Sequence, residues 1–268
     1  MAMAYCVLTS GSAGNSLWLR GGGVEVLVDC GLSARRIAYR LADVGADVDE
    51  VQAVVCTHGH GDHVQGAAVL ARRHGLEILG TEPTLGSLRG EPPLERLRPF
   101  ACGGRFSVGR LRFESVATMH DCPGSCAFVV SDGETRLGVV TDLGVVTAGV
   151  VRALEGVDGL ILEMNHDEIM LRDGPYPAFL KRRIAGSLGH LSNRQAADML
   201  ARLAHPGLQH LTLAHLSQEN NRPAAALEAA EGVLDAAGVQ PEVAVAGIER
   251  PCEPVTLQRT GQLMLGSW

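Results

Sequence analysis

The run Thr57-His58-Gly59-His60-Gly61-Asp62-His63 packs three imidazoles and a carboxylate into six consecutive positions. Nitrogen and oxygen donors this close together suit zinc or a related divalent ion. They follow directly on the apolar run Val51-Gln52-Ala53-Val54-Val55-Cys56, which reads as a buried strand. Alternate residues of an extended strand end point the same way, so His58 and His60 can share one ion while Asp62 and His63 face elsewhere. A second ion beside the first would use all four side chains, and the interleaved glycines let the backbone turn tightly between them. The competing reading is a polar surface turn rich in histidine, and the strand-to-helix setting of this run weighs against it.

Further single donors stand at the ends of other apolar runs. Leu111 to Val116 leads to Met119-His120-Asp121, Leu137 to Val140 leads to Thr141-Asp142, Leu160 to Glu163 leads to Asn165-His166-Asp167, and Leu208 to Ala214 leads to His215. Random placement of ten histidines would rarely produce this pattern.

The elements that must position these ends alternate in a regular way. Strands are expected at Tyr5 to Thr9, Leu17 to Leu19 and Val24 to Asp29, with the turn Ser10-Gly11-Ser12-Ala13-Gly14-Asn15-Ser16 between the first two. That turn offers amides and hydroxyls to an anion, or it is a generic hairpin turn. Ser33 is placed to cap a helix from Ala34 to Val44 with Ile37 and Leu41 on one face. A helix from Val64 to His74, with Val69 and Leu70 inward, follows the histidine run. Shorter strands at Glu77 to Leu79, Phe106 to Val108 and Ala127 to Val130 precede a helix from Val146 to Leu154, and a last helix runs from Pro223 to Ala237. The pattern predicts an α/β (α+β) fold of two mixed sheets packed face to face and flanked by helices, with the site on one edge.

Composition bounds the rest. At 268 residues and 46% hydrophobic content the chain can bury one large core, and residues 1–268 are expected to form a single domain. No apolar run is long enough to cross a bilayer, and the N-terminal residues lack the layout of a signal peptide, so the cytoplasm is the expected location. Seven cysteines without framework spacing fit reduced thiols, and Cys122 and Cys126, close in sequence, read as structural. A net charge of −7 excludes a uniformly basic nucleic-acid surface but leaves room for a local basic groove.

The pattern His-x-His-x-Asp-His at His58, His60, Asp62 and His63, with His120, Asp142 and His215 downstream, resembles the metallo-β-lactamase superfamily. That resemblance implies an αββα four-layer sandwich. It also implies two divalent ions, zinc first with manganese or iron as alternatives: His58, His60 and His120 on the first, Asp62, His63 and His215 on the second, and Asp142 bridging. A narrower resemblance covers nearly the whole chain. The segments Ser10 to Ser16, Leu162-Glu163-Met164-Asn165-His166-Asp167, Tyr176 to Ile184, Gly189-His190-Leu191-Ser192-Asn193 and Ala214 to Asn221 are similar to the YycJ (WalJ) branch, which implies DNA exonuclease activity. The stretch Asp121 to Cys126 is shorter and richer in cysteine than that branch leads one to expect.

A phosphodiester substrate also follows from chemistry. Two ions can hold a bridging water as hydroxide near neutral pH and neutralise the charge that develops on phosphorus; with the ligand set that the resemblance implies, Asp62 and Asp142 are catalytic candidates. Lys181-Arg182-Arg183 holds the chain's single lysine and is a candidate for backbone phosphate contacts, with a solvated helix face as the equal alternative. Ser192 and Gln195 form a capping-box pattern that places His190 just before a positive helix terminus. His166 and His190 are candidates for phosphate binding or leaving-group protonation, or else hydrogen-bond partners of the ligands. Ser12, Asn15 and Asn193 complete the candidate substrate contacts. His74, His205 and His210 read as surface or packing residues.

The expected function is therefore hydrolysis of phosphodiesters, with DNA as the partner. A thioester or lactone hydrolase of the same fold would need a substrate-binding extension larger than the C-terminal helix. A non-catalytic DNA-binding module would need closed ligand shells.

Overall fold

The computed structural model describes residues 2–259. In chain order its elements are β1 (Ala4–Thr9), β2 (Ser16–Gly21), β3 (Val24–Val28), α1 (Ala34–Asp43), β4 (Val51–Val55), α2 (Gly61–Val64), α3 (Ala67–His74), β5 (Glu77–Gly80), α4 (Glu82–Gly86) and β6 (Leu97–Pro99). There follow β7 (Arg105–Val108), β8 (Leu111–Ala117), β9 (Cys126–Ser131), β10 (Arg136–Val140), α5 (Ala148–Leu154), β11 (Gly159–Glu163), α6 (Glu168–Asp173) and α7 (Ala178–Ile184). The last are α8 (Asn193–Leu203), β12 (His210–Ala214), α9 (Pro223–Ala237), β13 (Glu242–Val245) and β14 (Val255–Thr256).

They build two seven-stranded sheets, ordered β14-β1-β2-β3-β4-β5-β6 and β13-β12-β11-β10-β9-β8-β7. Each is antiparallel in one half and parallel in the other: β3 to β6 pair parallel in the first, β10 to β13 in the second. Parallel neighbours need crossovers, and α1, α3, α4, α5, α8 and α9 lie in the six connections. Three apolar layers result. Val26, Val28, Phe113, Phe128 and Ile161 pack between the sheets. Leu27, Val54, Ile37 and Leu70 pack under α1 and α3, and Val129, Leu162, Leu200 and Leu234 under α5, α8 and α9. Val26 and Val28 face one layer and Leu27 the other, as the two-residue period of a strand demands. Both sheets are thus covered on both faces, which is why their central strands read as unbroken apolar runs. This is the four-layer αββα sandwich.

The helix expected over Val64 to His74 is broken. A turn of helix, α2, begins at Gly61 and holds Asp62 and His63, and α3 starts only at Ala67. The chain between them is pinned where Gly66 donates to the Cys30 carbonyl at 2.9 Å, and a Cβ at Gly66 would collide with the Leu32 carbonyl oxygen. Leu70 is buried as expected, while Val69 is only half buried. Ser33 occupies the N-cap position of α1 without bonding through its hydroxyl. The capping box of α8 is fully formed. Helix α7 carries the basic run. No helix among the described residues is long and apolar enough to cross a membrane.

Candidate metal centre

In open α/β sheets ligands gather beyond the carboxyl ends of parallel strands. Here two such edges face each other. Strand β4 ends in the histidine run, β3 in Asp29, β10 in Asp142, β11 in Glu163 and β12 in His215. Asp29, Asp142 and His215 all leave their strands with left-handed φ, at 62°, 59° and 57°. That conformation is uncommon outside glycine and is held only by strong local restraint. For His215 the restraint is visible: its N–H donates to Ser10 Oγ at 2.8 Å and its carbonyl accepts from Asn165 Nδ2 at 2.9 Å.

The donors converge in overlapping groups. His58, His60 and His120 place a ligand atom each within 4.8 Å of one another, and so do Asp62, His63 and His215. His58, His63 and Asp142 form a third such group, so Asp142 stands between the other two. Hydrogen bonds orient the rings. His63 Nδ1 lies 2.8 Å from Asp29 Oδ2, His120 Nδ1 3.1 Å from the Gly189 carbonyl and His215 Nδ1 2.9 Å from Glu163 Oε1. His58 Nδ1 lies 3.0 Å from Thr57 Oγ1. In all four the Nδ1 side is held by protein and the Nε2 side is turned to the centre, the arrangement that protein partners impose on metal-ligating histidines. His58 Nε2, His215 Nε2 and Asp142 Oδ2 are buried with no hydrogen-bond partner among the described residues. Orphaned lone pairs on donors that face one another fit a divalent cation. This donor set is a divalent-metal site.

The electrostatics agree. Burial opposes the charge on Asp142, yet the surrounding imidazoles of His215, His63 and His58 hold its carboxyl well below the usual range. Burial likewise opposes the proton on His63, but Asp142 and Asp29 outweigh it and push the ring up to about 9. His215 is raised the same way by Asp142, Asp62 and Glu163 against burial. The carboxylates of the site demand positive charge. His58 and His60 are instead lowered, first by burial and then by neighbouring imidazoles, which keeps their lone pairs free.

Two carboxylates escaped the sequence reading as participants. Asp29 accepts from the Thr57 amide at 2.8 Å, from Thr57 Oγ1 at 2.8 Å and from His63. Glu163 is fully buried; its Oε1 faces His190 Nδ1 at 2.8 Å and His215 Nδ1, and its Oε2 accepts from the Leu143 and Leu191 amides at 3.0 and 3.2 Å. Burial raises Glu163, but the imidazoles of His190 and His215 win and hold it at about 2. Glu163, His190, His215 and Asp142 also lie close enough to hold an ion, but both Glu163 oxygens are already saturated by donors. The signal for Asp29 was available, since it too is a carboxylate at the end of an apolar strand.

A cleft of about 250 Å³ opens over the centre. His60, Asp62, His120, Asp142, His190 and His215 reach its wall, together with Ser12, Tyr176 and Arg183. The other candidates lie elsewhere. Asn15 is buried as a clamp: its Oδ1 accepts from the Gly11 amide at 2.8 Å, and its Nδ2 sits 3.0 Å from His63 Nε2 and 3.3 Å from Asp62 Oδ2. Asn193 is locked in a reciprocal amide pair with Asn221, at 2.9 and 2.8 Å. His166 is 2% exposed and absent from the cleft wall, where its neighbour Asn165 stands. The basic run divides because successive residues of α7 point in different directions. Arg183 lines the cleft and donates through Nε to Asp121 Oδ2 at 2.6 Å; Lys181 Nζ donates to the Arg172 carbonyl at 2.6 Å; Arg182 is exposed away from the wall.

All seven cysteines are free thiols. Cys126 is bonded not to Cys122 but to the ligand loop, its amide donating to the Thr57 carbonyl at 3.1 Å and its Sγ at 3.4 Å. His74 pairs with Asp49, His205 with the Val157 carbonyl and His210 with Tyr5 Oη, all outside the site as expected.

The profile of the Beta-lactamase superfamily domain matches residues 25–215, from β3 to His215. Exodeoxyribonuclease WalJ of Streptococcus pneumoniae serotype 2 is 33% identical over 222 residues, covering 81% of this chain and 82% of that protein. Exodeoxyribonuclease YycJ of Bacillus anthracis is 32% identical over 241 residues, covering 89% and 91%. Among solved structures, the metallo-β-lactamase fold protein YhfI from Bacillus subtilis superposes with a TM-score of 0.70 over 94% of this chain and 100% of its own, at 19% identity. Matched along most of its length in sequence and in fold, the chain belongs to the metallo-β-lactamase superfamily of metal-dependent hydrolases and, within it, to the YycJ (WalJ) branch.

Proposed function

We propose that this chain is a dinuclear phosphodiesterase that removes nucleotides from the ends of DNA. The observation that carries the reading is the meeting of two donor triads at Asp142 beneath an open cleft. DNA as substrate is supported by the two exodeoxyribonucleases to which the chain is similar. His58, His60 and His120 would hold one ion, Asp62, His63 and His215 the other, and Asp142 both. When bound, the two ions, zinc by donor preference with manganese or iron as the alternatives, supply water activation and Lewis acidity toward the phosphoryl oxygens.

The remaining steps belong to the chain's own groups. Asp62, on the cleft wall and held by Asn15 and His63, is placed to orient the attacking water and take its proton. His190 donates its Nδ1–H as a hydrogen bond to the Glu163 carboxylate, which leaves Nε2 as the nitrogen able to hand a proton to the departing oxygen. The buried Glu163 carboxylate fixes the ring in that orientation. Arg183 supplies a guanidinium at the wall for the neighbouring phosphate.

The deciding assay offers metal-reconstituted protein end-labelled single- and double-stranded DNA and RNA, with bis(p-nitrophenyl) phosphate and a thioester alongside. Stepwise loss of nucleotides from DNA ends is expected, with the thioester untouched. Thioester turnover exceeding that on DNA would overturn the reading.

A further inference from the structure

Of the seven large apolar side chains that stand markedly exposed among the described residues, five lie within four residues of a position on the cleft wall. Met119 adjoins His120, Val145 follows Asp142, Ile169 follows Asn165, Phe179 follows Tyr176 and Leu188 precedes His190. Tyr39 and Leu94, the other two, are remote in sequence from any wall residue. Three of the five are joined through the backbone: the Gly144 amide, next to Val145, donates to the Met119 carbonyl at 2.8 Å, and the Asp121 amide donates to the Leu188 carbonyl at 3.0 Å. Exposed apolar groups gathered in this way mark a surface that something covers.

Helix α7 indicates what that is. Phe179, 67% exposed, lies four residues before Arg183 and so shares its face of the helix. Tyr176, three residues before it, and Arg183, four after it, both line the cleft. Of the three cations on this helix it is Arg183 that reaches the wall, while Lys181 is held by the Arg172 carbonyl and Arg182 points away, on a chain whose net charge is −7. Aromatic faces interleaved with cations along a groove are how proteins hold single-stranded nucleic acid: rings stack on the bases while the cations track the backbone. An apolar partner protein or a lipid surface has no use for a guanidinium directed into a metal cleft.

We propose that this rim, centred on Phe179 with Tyr176 beside it, is a stacking surface for the nucleobases of a single strand whose phosphates are drawn toward the metals by Arg183. The inference rests on the phosphodiesterase reading and adds to it the form of the substrate: the end enters unpaired, bases against the rim. Phe179 is then a positioning residue, which acts on where the strand lies and not on the bond that breaks.

The test compares the metal-loaded full chain with its Phe179→Ala and Phe179→Trp variants on two labelled strands of equal length, one normal and one abasic over its terminal nucleotides. Both strands carry phosphorothioate ends for binding by fluorescence anisotropy and ordinary linkages for turnover. Phe179→Ala is expected to weaken binding and raise KM on the normal strand by about 5- to 100-fold with kcat little changed, to leave the abasic strand unaffected, and to be rescued by Phe179→Trp. Equal losses on both strands, or none on either, overturn the proposal. A change in oligomeric state with strand binding intact also overturns it, because the rim would then be a contact between copies. If the wild type binds the normal strand through Phe179 yet cleaves no nucleic acid, the phosphodiesterase reading fails and the rim stands. If it cleaves DNA with no preference for bases over abasic sites, the reverse holds.

Discussion

In the proposed ligand set the two sheets contribute in opposite ways. The first gives four donors from one loop, His58 to His63, and braces that loop with one carboxylate, that of Asp29, which bonds Thr57 and His63. The second gives His120, Asp142 and His215 from three separate strand ends, and braces them with Glu163, which grips His190, His215 and the amides of Leu143 and Leu191. One half is assembled by local chain geometry. The other exists only once β10, β11 and β12 are in register, and a single buried anion ties their ends together. The first half should therefore respond to substitution as a loop does, and the second as a sheet edge does.

The largest effect is expected at Asp142, where the halves meet. Wild-type protein should bind about two ions per chain, as a paired-metal site requires. Asp142→Ala should lose at least one of them. Its turnover should fall by more than the roughly 10- to 100-fold typical of losing an outer partner of a ligand, with the melting temperature little changed. Metal analysis, turnover and thermal unfolding on one preparation check this. Full occupancy with near-normal turnover would remove Asp142 from the centre.

Next in size is Glu163→Gln. Four N–H donors face the Glu163 oxygens, so the amide NH₂ of a glutamine must meet two of them head-on. A stability loss of about 1–3 kcal/mol is expected, with turnover down about 100-fold even at saturating metal because His190 loses its anion. Asp29→Asn should be milder. Its cost should appear as metal affinity, about 10-fold, and excess metal should restore turnover because His190 is untouched. Metal titration of both variants separates the halves. If excess metal rescues Glu163→Gln as fully as Asp29→Asn, the two braces are equivalent and the contrast collapses.

The same contrast governs what the sequence discloses. The histidine run is legible because its donors are neighbours in the chain and follow an unmistakable strand. His120, Asp142 and His215 are legible one step less directly, as polar residues that end apolar runs. Glu163 carries that mark too, yet a strand end does not reveal which of its neighbours a carboxylate will bind; that depends on the register of β11 against β10 and β12. Asn15 and Asn193 are polar enough for substrate contacts, but the direction of an amide is set by tertiary contacts, and both turn inward to hold the scaffold. Helix α7 shows the opposite limit. Three adjacent cations look like one patch in a sequence, and a helix disperses them around its axis. The YycJ-like segments Tyr176 to Ile184 and Gly189 to Asn193 had marked the region without saying which side chains reach the cleft.

The smallest predicted effects follow from that dispersal. Replacing Lys181, Arg182 and Arg183 together with alanine should weaken DNA binding and flatten its dependence on salt, because each lost phosphate contact releases fewer counterions. The single variants should not share the effect equally. Arg183 stands on the cleft wall, so Arg183→Ala should lower the slope of log Kd against log salt by about one. Lys181 is drawn onto the Arg172 carbonyl at the end of α6, so Lys181→Ala should leave the slope nearly unchanged and loosen the contact between α6 and α7 instead. Arg183 is also ion-paired with Asp121, at an exposed position where such a pair contributes about 0–1 kcal/mol, so Arg183→Ala should barely move the melting temperature. A salt titration of the three single variants measures each share. Equal slopes for all three would mean that the helix face presented to the strand differs from the one that carries Arg183, and that phosphate is held by the run as a diffuse patch.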